Sequence, residues 1–172
     1  MRNIILTGFM GTGKTEVGKL LSQKLGYVLI DIDSEIEKEQ RTAITEIFKQ
    51  HGEPGFRDIE SAVIKRFSDA SRAVISTGGG AVLRQENMAG LRKNGVIVCL
   101  MATPETIVQR TSSGNDRPLL QVENPLKRIR ELLEFRRPYY EKADIIIDTE
   151  NKSPLEVAEE IIKAVNKAAG CR

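Results

Sequence analysis

Five short apolar runs punctuate the chain, at residues 4–6, 28–32, 73–75, 96–101 and 145–147. Between them apolar positions recur every three or four residues, predicting helices over 16–25, 34–39, 44–50, 59–67, 87–93, 105–110, 125–135 and 154–168. Runs that are apolar at successive positions, rather than at alternate ones, fit strands buried on both faces. Strands alternating with helices predict an α/β protein, a five-stranded parallel sheet between two helical layers in a three-layer sandwich. Right-handed crossovers place the carboxyl ends of all the strands along one edge, where ligands bind in such sheets. No repeat, low-complexity segment or linker divides the 172 residues, so one domain over 1–172 is expected.

The first run leads into Gly8-Phe9-Met10-Gly11-Thr12-Gly13-Lys14-Thr15, the G-x-x-x-x-G-K-[ST] pattern of a phosphate-binding loop. The strand before it, and a helical pattern after it with Val17, Leu20, Leu21 and Leu25 on one face, supply the context the motif requires. The glycines let successive backbone N–H groups turn inward around an anion, and the helix adds its positive end. Lys14 is then placed to bring a full charge to the outer phosphates, and the Thr15 hydroxyl to ligate Mg2+. The alternative is a glycine-rich turn that matches by accident, and it leaves both flanking elements unexplained. The stretch predicts a nucleoside triphosphate site.

Beyond the second strand stands Asp31-Ile32-Asp33. In extended backbone the two carboxylates share a face, as a Mg2+ shell and a group receiving a hydroxyl proton require. Asp33 also suits the cap of the next helix, and Ser34 offers a second capping residue. After the third strand come Gly78, Gly79 and Gly80. Three successive glycines cost backbone entropy and pack nothing, whereas a turn needs only one or two. At a ligand edge they predict a substrate held against backbone N–H groups.

The segment from His51 to Arg57 is a turn cluster opening a helix, with Arg57 at its start. A cation opposes the dipole there, and a carboxylate or phosphate ligand would account for one; taken alone, Arg57 reads as a solvated surface residue. His51, the only histidine, reads as exposed. Arg117 lies in a small, polar stretch over 111–120, of the kind that forms a lid over phosphates. Arg136 and Arg137 end a helix, where basic residues suit the dipole with no ligand at all.

A net charge of +2, from 26 basic and 24 acidic residues, argues against a dedicated nucleic-acid or membrane-surface binder. Any positive potential is therefore local, at these arginines. Cys99 and Cys171 lie far apart with neither metal-ligand nor disulfide-framework spacing, as in reduced cytoplasmic proteins. No apolar stretch nears the ~18 residues of a membrane span, and no signal-peptide segment precedes the loop. A soluble, cytoplasmic protein is expected.

The combination resembles shikimate kinase over almost the entire chain. Its pieces are the loop from Gly8, Asp31-Ile32-Asp33, Gly52-Glu53-Pro54-Gly55-Phe56-Arg57, Thr77-Gly78-Gly79-Gly80, Arg117-Pro118-Leu119-Leu120 and Arg136-Arg137-Pro138-Tyr139-Tyr140. The loop alone marks a very large superfamily, but its combination with the acidic pair, the triple glycine and three arginines is specific. The resemblance implies a P-loop kinase fold of the nucleoside-monophosphate-kinase type, with sheet order 2-3-1-4-5. An acid-binding region over about 33–61 and a lid over about 111–124 belong to that fold. The implied activity is transfer of the ATP γ-phosphoryl group to the 3-hydroxyl of shikimate, on the route to chorismate and the aromatic amino acids, with Mg2+.

By the same resemblance Arg57 and Arg136 bind the shikimate carboxylate, Asp33 holds the ring hydroxyls and takes the proton, and Gly78, Gly79 and Gly80 touch the substrate through the backbone. Gly11, Thr12, Gly13, Lys14, Thr15 and Glu16 wrap the phosphates, with Thr15 and Asp31 serving Mg2+. Arg117 reaches the γ-phosphate, while Arg110 and Pro154 line the adenine. The family also implies a monomer with ATP, ADP and shikimate as its partners. Two positions depart from the family pattern, Gly55 where glutamate is usual and Glu16 where serine or threonine is common. Two rivals stand beside this reading: another small-molecule kinase, for gluconate or a nucleotide, and a nucleotide-binding switch without transfer activity.

Overall fold

The computed structural model describes residues 2–111 and 122–170. Five parallel strands, β1 (Asn3–Gly8), β2 (Val28–Asp31), β3 (Ala73–Ser76), β4 (Gly95–Met101) and β5 (Ile145–Asp148), form one sheet in the order β2-β3-β1-β4-β5. This is the expected order. In the centre, Leu6 of β1 pairs with Ser76 of β3 and Val98 of β4, and every residue of β1 is buried.

Neighbouring residues of β1 serve opposite layers, as the pleat dictates. Ile4 and Leu6 pack with Val17 and Leu21 of α1 (Lys14–Leu25) and with Val157 and Ile161 of α7 (Pro154–Gly170). Ile5 packs instead with Ile36 of α2 (Ile32–Gln40), with Ile47, Phe56 and Ile64 of α3 (Ile44–Phe67), and with Leu91 of α4 (Gln85–Asn94). Each such side chain, buried against its helical layer, contributes roughly 1.5–3 kcal/mol. A third cluster sits at the ligand edge. Phe9, Cys99 and Val82 there meet Ile107 of α5 (Pro104–Thr111) and Ile129 and Tyr140 of α6 (Pro125–Tyr140).

Three local readings change. β2 stops at Asp31, and Ile32 already opens α2, buried beneath it. The extended backbone that was to align Asp31 with Asp33 is therefore absent. The cap is Asp31, whose carboxylate accepts from the Ser34 N–H at 3.2 Å, rather than Asp33 or Ser34. Next, the helices expected over 44–50 and 59–67 are one element, α3, bent where Gly52 takes φ 65° and ψ −178°. Pro54 follows in the first turn after the bend, where a missing N–H costs nothing. Arg57 consequently lies beyond that first turn, and the dipole argument for it does not apply. Finally, α6 continues past residue 135 to Tyr140 with Pro138 inside it, so Arg136 is in the helix body and turns inward, 2% exposed.

Candidate active site

The phosphate loop joins β1 to α1, with Gly13 in the left-handed region capping the helix. A Cβ at Gly8 would collide with the Leu100 carbonyl of the neighbouring strand, so the chain leaves the sheet there only as glycine. The Lys14 ammonium donates to the carbonyls of Gly8 at 2.8 Å and Phe9 at 2.9 Å, and the Thr12 hydroxyl donates to Phe9 as well. Thr15 and Glu16 are exposed at the head of α1. Glu16 turns away into an exposed ion pair with Lys19 at 2.9 Å, so its carboxylate does not oppose an anion in the loop. Arg110, near the end of α5, donates to the Gly11 carbonyl at 3.4 Å and to the Thr149 hydroxyl and carbonyl at 3.1 Å. It ties the loop to the segment after β5. Pro154 is exposed at the first position of α7.

Beside the loop is a cavity of about 370 Å3 lined by Asp33, Arg57, Gly78, Gly79, Gly80 and Arg136, with Phe48 and Phe56 forming an apolar wall. Elements far apart in sequence meet here. Arg57 is 8% exposed and donates to Glu60 at 2.7 Å and Glu53 at 3.1 Å. Burial opposes its cation, but those two carboxylates outweigh burial and hold its pKa above the ordinary arginine value. The Nε of Arg57 and that of Arg136 are both buried without a hydrogen-bond partner. Both residues nevertheless line the cavity, where a planar anion is the natural partner for a guanidinium fork.

The glycine triplet is a packing necessity as well as a binding surface. A Cβ at Gly80 would overlap the Arg57 guanidinium. At Gly78 it would stand 2.5 Å from Glu60 Oε1 and 3.0 Å from Asp33 Oδ1. At Gly79 it would lie 3.2 Å from the Gly8 carbonyl oxygen and 3.5 Å from Arg136 Nη1, so this residue fills the gap between the phosphate loop and the cavity. Tyr140 donates its hydroxyl proton to the Gly79 carbonyl at 2.7 Å, and burial pushes its pKa up to about 12.

Asp33 has a carboxyl pKa raised to about 6, first by burial and then by the charges of Glu60 and Asp31, with Lys14 and Arg57 pulling the other way. The cavity reaches the phosphate loop at Met10, which lines it together with Asp33 and Arg57. A carboxylate near pH 6 is poised to take a proton at neutral pH.

Three residues of the site carry no assignment from the sequence. Glu60 is fully buried and orients Arg57; the signal was its place three residues on, along the same helix face. Tyr140 stands four residues beyond Arg136, again one turn along. Phe9 lies under Arg136, and no spacing could have shown that. Gly55 has a physical reason in this chain, since a Cβ there would meet the His51 Cβ at 2.6 Å. His51 itself is exposed, and Cys99 is a buried free thiol whose pKa burial raises to about 12. Arg117, Cys171 and most of the stretch read as a lid lie outside the described residues.

The family model for shikimate kinase matches residues 10–166. The chain belongs to the shikimate kinase family. The shikimate kinase of Thermodesulfovibrio yellowstonii is 57% identical over 163 residues, 95% of this chain and 94% of that one. That of Caldanaerobacter subterraneus is 52% identical over 170 residues, 99% of both. The solved structure of Acinetobacter baumannii shikimate kinase in complex with shikimate is 38% identical with a TM-score of 0.95, covering 98% of this chain and 94% of that one. A gluconokinase from Sinorhizobium meliloti, 18% identical with a TM-score of 0.63, shares the fold alone. Membership of the shikimate kinase family makes the chain an ATP-dependent phosphotransferase, which overturns the rival reading of a switch without transfer activity. Among the described residues no helix is long and apolar enough to cross a membrane.

Proposed function

We propose that the chain transfers the γ-phosphoryl group of ATP to the 3-hydroxyl of shikimate, with Mg2+, as a cytoplasmic monomer of one domain supplying the route to chorismate. The observation that carries this reading is the meeting of two buried arginines and a carboxylate of raised pKa in one cavity that abuts the phosphate loop.

Arg57 and Arg136 grip the acid's carboxylate, and the backbone of Gly78, Gly79 and Gly80 lies close enough to take its ring oxygens. The acceptor hydroxyl then faces Asp33. As its oxygen bonds to the γ-phosphorus, the bond from phosphorus to the β-phosphate oxygen breaks, ADP leaves, and the hydroxyl proton passes to Asp33. Lys14 neutralises charge on the outer phosphate oxygens, and the N–H groups of residues 11–16 cradle the rest. The exposed Thr15 hydroxyl and the Asp31 carboxylate, which spends one oxygen on its cap, are hard oxygen donors of the kind Mg2+ takes. Mg2+ held there would screen the β- and γ-oxygens. Arg110, bonded to Gly11 of the loop, and Pro154 are assigned to the adenine, and Arg117 to the γ-phosphate, by family resemblance.

The test is a coupled assay of ADP release with shikimate, gluconate and nucleoside monophosphates as acceptors. Release only with shikimate is expected. Equal release without any acceptor, or faster release with gluconate, overturns the proposal.

A further inference from the structure

The phosphate-loop motif asks nothing of the position after its first glycine, yet Phe9 there is 1% exposed and locked among Val82, Cys99, Ile107 and Tyr140. The guanidinium carbon of Arg136 stands over its ring, 5.5 Å from the centroid. That is within cation–π range, and burial of both groups puts the contact at the strong end of what such pairs contribute. The backbone of the same residue belongs to the nucleotide side. Its carbonyl accepts from the Lys14 ammonium at 2.9 Å and from the Thr12 hydroxyl at 2.8 Å. One residue thus touches the lysine meant for phosphates and the arginine meant for the acid.

We propose that Phe9 is a positioning residue that couples the two half-sites, its ring holding Arg136 and its carbonyl answering to Lys14. A nucleotide that draws Lys14 to its phosphates takes it from the Phe9 carbonyl, and the ring carries the change to Arg136. Each ligand then raises the affinity of the other by the same factor, since binding linkage is reciprocal. The inference rests on the assignment of Arg136 to the acid substrate. A competing route runs through Gly79, which is wedged between the Gly8 carbonyl and Arg136 and needs no aromatic ring.

The two routes separate on replacing Phe9 by 4-fluoro-, 3,5-difluoro- and 3,4,5-trifluorophenylalanine, which nearly keep the ring's shape while draining the negative potential of its face. Calorimetry on the full chain gives the shikimate affinity with and without Mg2+ and a non-hydrolysable ATP analogue. In the unsubstituted protein the nucleotide tightens shikimate binding. Along the series shikimate affinity falls in step with fluorine count, about tenfold at the trifluoro ring, and the ratio of the two affinities shrinks toward one. Nucleotide affinity without shikimate stays constant across the series, while the thermal midpoint falls modestly as the ring's hold on Arg136 weakens. A ratio that is the same at every fluorine count overturns the role of Phe9 and leaves the Gly79 route. If the unsubstituted protein binds nucleotide but no shikimate, the assignment of Arg136 itself fails, and that is seen before any substitution is made.

Discussion

Glu60 accepts from Arg57 through Oε2 at 2.7 Å, while its other oxygen is buried against Gly78 without a hydrogen-bond partner. One half of this carboxylate aims the arginine at the cavity. The other half adds negative charge beside Asp33, where it is the second cause of the raised pKa after burial. A fully buried acid with an unmade acceptor is costly, and the roles proposed for Arg57 and Asp33 on either side of it would account for the cost.

Glu60→Gln keeps the shape and one acceptor but removes the charge. The shikimate KM is expected to rise about tenfold and stability to fall by about 2 kcal/mol, the contribution typical of a hydrogen bond to a charged group. The ATP KM should stay within about twofold, since the hydrogen bond Glu60 makes is to Arg57, on the acid side of the cavity. Steady-state kinetics in both substrates check this, and an unchanged shikimate KM would remove Glu60 from the acid site.

Gly80→Ala places a methyl group where the Arg57 guanidinium now sits. Arg57 must move, because the alternative is a shift of the buried turn that also carries Val82 into the third core cluster. Loss of shikimate binding by roughly a hundredfold, about 3 kcal/mol on the tenfold-per-1.4 scale, is expected with nucleotide affinity retained. Titrations with each ligand separately decide it.

The Asp33 carboxyl, at about 6, predicts an acid limb in kcat/KM for shikimate: the rate falls as pH drops through about 6, because the proton acceptor is then already protonated. Stability moves in the opposite sense. With a folded pKa above the ordinary carboxyl value of 3.8, the native state binds more protons than the unfolded one between about 3.8 and 6, so this group's contribution is lost as pH rises through that window. Asp33→Asn should therefore abolish most turnover and stabilise the fold more at pH 7 than at pH 4. Denaturant midpoints at the two pH values measure the second effect, and a difference of the opposite sign would contradict the burial argument.

The phosphate loop was legible because its chemistry is written in eight consecutive residues. The central strands β1, β3 and β4 were legible because they are buried on both faces; the edge strands β2 and β5 are apolar too, although Val28 and Ile146 stand exposed. Helix limits were less so: Gly52 and Pro138 are breakers in isolation, but α3 absorbs the first as a bend and α6 accommodates the second within its last turns. The acidic pair was read on the wrong backbone, since Asp31 ends a strand and Asp33 already lies in a helix. What stayed hidden depends on contacts distant in the chain. The bond from Tyr140 to Gly79 spans 61 residues, and Phe9 finds Arg136 only once β1 and α6 are packed together. Pattern along a sequence carries no record of such meetings.

The central claim is that the phosphoryl group goes to the acid held by Arg57 and Arg136, and not to water. Phosphorus NMR of the protein with Mg-ATP and shikimate reads this directly. The γ-phosphate resonance should give way to a phosphomonoester of shikimate in equal amount to the ADP formed, and the Asp33→Asn protein should form almost none. Inorganic phosphate in place of the ester, or ester formation undiminished in the variant, would contradict the account.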